Sequence, residues 1–175
     1  MARHILDANE MPNNCDNIEK QIREAIHKVG VKCEGKSDGK WTTMLNDDLQ
    51  QLGKEHNYRT CAPRCEEHGW LFDLCWYKEF SEGLANQPLV AEFEWQQHYK
   101  HIRYDFEKLM VARADHRLMV FQQPNNTEFD GVVEKLIKCI ANFDGTAIGD
   151  RYLFACWLND GSEKFIFRLH RVKKN

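Results

Sequence analysis

The stretch from Pro88 to Gln122 constrains the fold most. It holds an apolar strand run (Pro88–Trp95), a helical segment at about His98–Ala114, and a second compact strand run, RLMVFQ. Ile102, Phe106, Leu109 and Met110 recur on one face of the middle segment, as an amphipathic helix requires. A helix between two strands permits a parallel crossover, which a short hairpin turn cannot make.

The flanking patterns extend this unit in both directions. Asp16 is a candidate helix cap, followed by Ile18, Ile22, Ile26 and Val29 at helical spacing, with Gly30 as the expected stop. GKSDGK (35–40) reads as a linker, and Trp41–His56 as a second helix. Tyr58–Cys65 and Trp70–Tyr77 suit strands. After RLMVFQ, Glu128–Phe143 reads as a helix, and Tyr152–Leu158 and Phe165–Val172 as two strands joined by the turn NDGS. The expected product is an α/β fold, a mixed sheet with helices on its faces. Residues 1–40 form an N-terminal arm and helix, and 41–175 the α/β domain.

The 175 residues fit one domain, and 42% hydrophobic content is enough for a real core. No apolar run approaches the roughly 20 residues of a membrane span, and the start lacks a secretory apolar region. Seven cysteines, most inside apolar runs, read as reduced thiols, so a cytoplasmic location is expected. A net charge of -3 argues against a strong non-specific nucleic-acid binder, although HYKHIRY and the tail FRLHRVKKN are locally basic.

Chemistry concentrates in three acids. Asp73 is the one charged residue in WLFDLCWY. Glu92 and Glu94, in LVAEFEW, share one strand face while Leu89, Ala91, Phe93 and Trp95 take the other. Hairpin-like antiparallel pairing of the two strands would bring the three carboxylates together. They repel one another unless neutralised, and a hard divalent cation such as Mg²⁺ does this well. The competing account of Glu-Phe-Glu is a solvated strand face, but aspartate is poor in strands and Asp73 favours the metal centre.

An aspartate on one strand, E-x-E on the next, then a helix and a strand resembles the PD-(D/E)XK, or restriction-endonuclease-like, nuclease superfamily. The stretch LVAEFEWQQHYKHIRYDFEKLMVARADHRLMVFQ resembles its third strand, long helix and fourth strand, within a match covering about residues 41–122. The resemblance implies a restriction-endonuclease-like mixed central sheet flanked by helices, and Mg²⁺ (or Mn²⁺) as cofactor. It implies DNA as partner, and hydrolysis of its phosphodiester bonds. By that match Asp73 is the motif aspartate and Glu92 the middle acid. Glu94 stands where most members carry lysine. Lys108, in DFEKL, is the candidate substitute cation; the alternative is a surface lysine paired with Tyr104 or Asp105. Asp73, Glu92, Glu94 and Lys108 are the expected catalytic set, the three acids being the metal ligands. Asp48 and Glu55 are candidates for a further acid from the first helix of the fold, and Gln96 and Gln97 for contacts at the site. The alternative function is an inactive module of the same fold that binds protein or nucleic acid. A homodimer is an open expectation.

Cys61, Cys65 and His68 offer three possible zinc ligands, with Cys33 as a conceivable fourth. Without a second close pair they read as buried or loop thiols. His98 and His101 read as a solvated helix start. Gly145, Gly149 and Gly161 make no phosphate-binding loop. Trp76, Trp95 and Trp157 read as core or interface residues.

Overall fold

In a computed structural model that describes residues 15–33, 35–63, 71–162 and 164–174, the chain alternates helices and strands. The elements are α1 (Asn17–Cys33), α2 (Asp38–Glu55), β1 (Arg59–Cys61), β2 (Leu74–Phe80), β3 (Gly83–Glu94), α3 (Tyr99–Val111), β4 (His116–Gln123), α4 (Asn126–Asn142), β5 (Arg151–Leu158) and β6 (Phe165–Arg171). The strands form one six-stranded sheet in sequence order. β1, β2 and β3 pair antiparallel, β3–β4 and β4–β5 pair parallel, and β5–β6 pairs antiparallel. The mixed α/β sheet and the crossover between β3 and β4 are therefore as expected.

Both crossovers, α3 and α4, step the sheet in one direction, so both lie on one face. Their apolar stripes (Ile102, Phe106 and Leu109; Phe129, Val133 and Leu136) close a core over Val90, Met119, Phe121 and Phe154. α1 and α2 cover the opposite face. There Ile22, Ile26, Trp41, Leu45 and Leu49 pack on Leu89, Ala91, Val120 and Trp157. The helix of the 1–40 segment thus shares its core with the rest of the chain. Among the described residues no helix is long and apolar enough to cross a membrane.

Several boundaries differ from the sequence reading: β1 ends at Cys61, short of Cys65, and four further differences bear on the packing. Gly30 does not stop α1. It is buried inside the helix, where an added Cβ would lie 3.1 Å from Phe165 and 3.2 Å from Trp157, so its smallness serves packing. α2 starts at Asp38, taking in half of the expected linker. β2 starts at Leu74, leaving Asp73 in the bend before it. β3 extends back to Gly83, and register shifts in its pairing with β2 accommodate Pro88, which has no N–H for the ladder.

Gly53 marks the tightest contact between α2 and the sheet. Its missing side chain admits the Trp76 indole, whose Nε1 donates to the Leu49 carbonyl at 3.0 Å. A Cβ at residue 53 would fall 2.7 Å from that nitrogen and 2.8 Å from Thr60 Cγ2. Alanine favours a helix by up to ~1 kcal/mol over glycine, but overpacking a fixed ring costs roughly 1–3 kcal/mol. Gly53→Ala should therefore destabilise. Gly131→Ala in α4, where a Cβ meets nothing within 4 Å, should stabilise by ~0.5–1 kcal/mol. Urea titration of the two variants checks the opposite signs.

Candidate metal centre at the β2–β3 hairpin

Leu74 pairs with Ala91 across the antiparallel ladder, so Asp73, one residue earlier, comes level with Glu92. Asp73 Oδ2 accepts the backbone N–H of Phe93 at 2.8 Å. That bond explains both its place and the late start of β2: the short carboxylate ties to the neighbouring backbone instead of continuing the strand. Glu92 and Glu94 point to the face carrying α3 and α4, as the alternation requires. Glu92 is buried, 1% exposed, and Glu94 is half-buried.

α3 brings the cation. Lys108 Nζ lies 2.6 Å from Glu92 Oε2 and 2.8 Å from Asp105 Oδ1. The helix is fixed at both ends. His98 Nδ1 accepts the Lys100 N–H at its start. At its end the buried Arg117 of β4 donates to the Leu109 and Ala112 carbonyls, at 3.1 and 2.8 Å. The loop before α3 is held by Gln122, which donates to the Trp95 carbonyl, and by Gln123, which donates to the Gln97 carbonyl at 3.0 Å. Gln96 touches the centre through its backbone, donating to Glu94 Oε1 at 2.7 Å.

Burial dominates the electrostatics. It pushes Glu92 up to about 8, against the pull of the Lys108 hydrogen bond and with a further push from the Asp73 charge. Burial also raises Asp73, although the Phe93 N–H opposes it. Glu94 is raised by burial and then by Asp105, which lies beside it. Burial works to lower Lys108, but its hydrogen bonds to Asp105 and Glu92 outweigh that and hold it well above the ordinary lysine value. Glu92 Oε1 is buried with no hydrogen-bond partner. A buried carboxylate oxygen left open beside a second carboxylate is the donor chemistry a hard cation takes.

The centre is thus built from Asp73, Glu92 and Lys108, with Asp105 and Glu94 alongside. Asp105 is the residue the sequence reading undervalued. Its position three before Lys108 shows that the two can pair, but not that the pair turns inward. Asp48 and Glu55 lie on α2, across the sheet from the centre. Asp48 pairs with Lys32 at 3.8 Å, and Glu55 accepts from Gln51 at 3.1 Å. Cys61 is buried. Cys65 and His68 lie outside the described residues.

Asp73, Glu92 and Glu94 do not bring three ligand atoms within 4.8 Å of one another. Among the described residues the trio that does is Asp16, Glu19 and His116. Its atoms are already engaged. Glu19 takes the Arg151 guanidinium through both oxygens, with Nε at 2.6 Å. Asp16 Oδ1 accepts the Glu19 N–H at 2.9 Å, and Asp16 Oδ2 meets His116 Nε2 at 2.7 Å. His116 Nδ1 faces the Pro88 carbonyl at 3.1 Å. This is a neutralised cluster that fastens the start of α1 to β4 and β5.

Against known proteins, no family model, no curated protein and no solved structure matches the chain.

Proposed function

We propose that this protein is a metal-dependent nuclease that hydrolyses phosphodiester bonds, with DNA as substrate, at the centre formed by Asp73, Glu92 and Lys108. The observation that carries the reading is the 2.6 Å contact between Lys108 Nζ and Glu92 Oε2. Strand position 94 carries glutamate instead of lysine, and a helix supplies the missing cation to the same carboxylate. The order of helix, three strands, helix and strand, with the acids on adjacent antiparallel strands, supports the resemblance on which the reading rests.

Asp73 and Glu92 would hold Mg²⁺ or Mn²⁺, Glu92 through the oxygen that has no partner. The bound cation supplies charge stabilisation at the scissile phosphate and a more acidic water. Glu94, half-buried at the edge of the centre, accepts a proton from the attacking water. Lys108 offsets the negative charge that develops on the phosphate, and Asp105 keeps its ammonium in place. His98, Lys100 and His101 are exposed at the start of α3 and give an acidic protein a local basic approach for a polyanion. The buried thiols of Cys33 and Cys156 support a reducing, cytoplasmic setting.

The test joins binding to turnover. Mn²⁺ or Mg²⁺ at about 100 times its dissociation constant should stabilise the native protein by about 2.7 kcal/mol. Asp73→Asn should remove most of that gain. Cleavage of duplex, single-stranded or branched DNA, or RNA, at low salt should fall at least ~100-fold in Glu92→Gln and Glu94→Gln, and less in Lys108→Ala. An equal stabilisation of Asp73→Asn would mean that the ions bind elsewhere. Metal binding with no cleavage of any substrate would favour an inactive interaction module. Among the described residues the tryptophans do not favour that alternative: Trp41, Trp76, Trp95 and Trp157 are all buried within this chain.

A further inference from the structure

The end of the sheet opposite the acidic centre, where β3, β4 and β5 begin, carries two complementary shapes. One is a projection. From Lys78 through Asn86 the β2–β3 hairpin is exposed on both strands, and it presents Phe80 and Leu84 at 56% and 47% exposure. The other is a groove of about 580 Å³ at the ends of α3 and α4, lined by Asn86, Val111, Arg113, Arg117, Phe143 and Asp150 among others. Val111 is 63% exposed, and Ile148, two residues before Asp150, is 68% exposed. Four of the seven exposed large apolar side chains among the described residues therefore gather at this one end. Such concentration marks an interaction surface.

The charges are complementary too. Glu82 sits in the hairpin turn and Arg113 in the groove, and neither has an ion-pair partner among the described residues. Arg117, 5% exposed, also lines the groove but is turned to Asp150 and to the Leu109 and Ala112 carbonyls. The groove thus offers the exposed cation of Arg113 to an acidic turn with apolar flanks. This chain's own hairpin has that chemistry. Asn86 belongs to both features, tying the base of the hairpin to the groove through Asp115 at 2.8 Å.

We infer that this surface docks a second copy of the chain: the hairpin of each protomer enters the groove of the other, Leu84 covering Val111 while Phe80 lies on the hairpin's other face, and Glu82 meeting Arg113. Adjacent projection and groove on one chain are what a two-fold, self-complementary interface needs. The inference is independent of the nuclease reading, and it leaves the acidic centres at the outer ends of the dimer.

Sedimentation of the full chain between ~1 and ~100 µM tests it, a range that brackets a micromolar dissociation constant. The native protein should shift from monomer to dimer with concentration. Leu84→Asp should raise the dissociation constant at least tenfold, and so should Glu82→Arg and Arg113→Glu separately. All three positions are exposed, so circular dichroism and melting should stay native. Glu82→Arg combined with Arg113→Glu in one chain should bring the constant back to within about threefold of native, which a loss of folding could not do. A native protein that stays monomeric throughout would overturn the inference and leave the groove to a different occupant. A dimer indifferent to these substitutions would overturn it equally, since its interface would lie elsewhere.

Discussion

Metal-free native protein should lose stability as pH rises from about 5 to 8, and Glu92→Gln should flatten that loss. Glu92 has an ordinary value of 4.5 that burial moves to about 8 in the folded chain. Below the lower value both states carry the proton, and no difference arises. Between the two values the unfolded chain releases the proton while the folded chain keeps it. The unfolded state therefore binds fewer protons, and stability falls as pH rises. Each unit of separation corresponds to about 1.4 kcal/mol. A loss on the order of 3 kcal/mol across the window allows for relaxation around the site. Glutamine keeps the shape and never ionises, so the variant should match the native protein near pH 5 and exceed it near pH 8. Urea titrations with a chelator at the two pH values give the comparison, and parallel curves for the two proteins would refute it.

The same balance gives the effect of metal. A cation that binds the ionised carboxylate must displace its proton, so affinity should rise with pH up to about 8. With saturating Mn²⁺ the order of stability should reverse, the native protein then exceeding Glu92→Gln. On the proposed reading, a bound cation would offset the burial that makes Glu92 costly in the empty protein.

Much of this was legible in the sequence because it rests on periodicity. The strand alternation that sets Glu92 and Glu94 apart from Phe93, and the helical stripe of Ile102, Phe106 and Leu109, are local patterns, and the sheet follows from their order. Hairpin pairing of the strands was legible too, since a short connection leaves few alternatives. What was hidden depends on where elements meet. Lys108 and Asp105 sit three apart on a helix, a spacing that serves equally well for a solvated pair. Only the rotation of α3 against β3 turns them to Glu92. Asp73 looked like a mid-strand residue because Leu71 and Phe72 are apolar; its bond to the Phe93 N–H, made across the hairpin, ends the strand there. Gly30 carried the usual sign of a helix stop, and only the rings of Trp157 and Phe165 show why a glycine is needed inside α1.

Glu19→Ala should cost about 3–5 kcal/mol, the range for removing one partner of a buried ion pair. Part of the reason is local: Asp16, the expected helix cap, and Glu19 three residues on form a capping box. Asp16 accepts the Glu19 N–H, and Glu19 Oε2 accepts the Asp16 N–H at 3.0 Å. The larger part was not visible, because Arg151 lies 132 residues away. Glu19 is 1% exposed and holds the guanidinium through both oxygens; Arg151 keeps 14% side-chain exposure. Truncating Glu19 takes the bidentate carboxylate away from that charge, leaving Asp16 at 3.6 Å among its neighbours, and removes a cap bond as well. Replacing both Glu19 and Arg151 by methionine should cost less than Glu19→Ala alone, because the buried ion pair is then exchanged for apolar packing and not halved. A loss below 1 kcal/mol for Glu19→Ala would instead mean that the cluster does not fasten α1 to the sheet. The trio of Asp16, Glu19 and His116 would then be free to serve as ligands, and stabilisation of the native protein by Zn²⁺ that disappears in His116→Ala would identify that role. With Glu19 committed to Arg151, any shift in melting temperature with Zn²⁺ should be the same in His116→Ala as in the native protein.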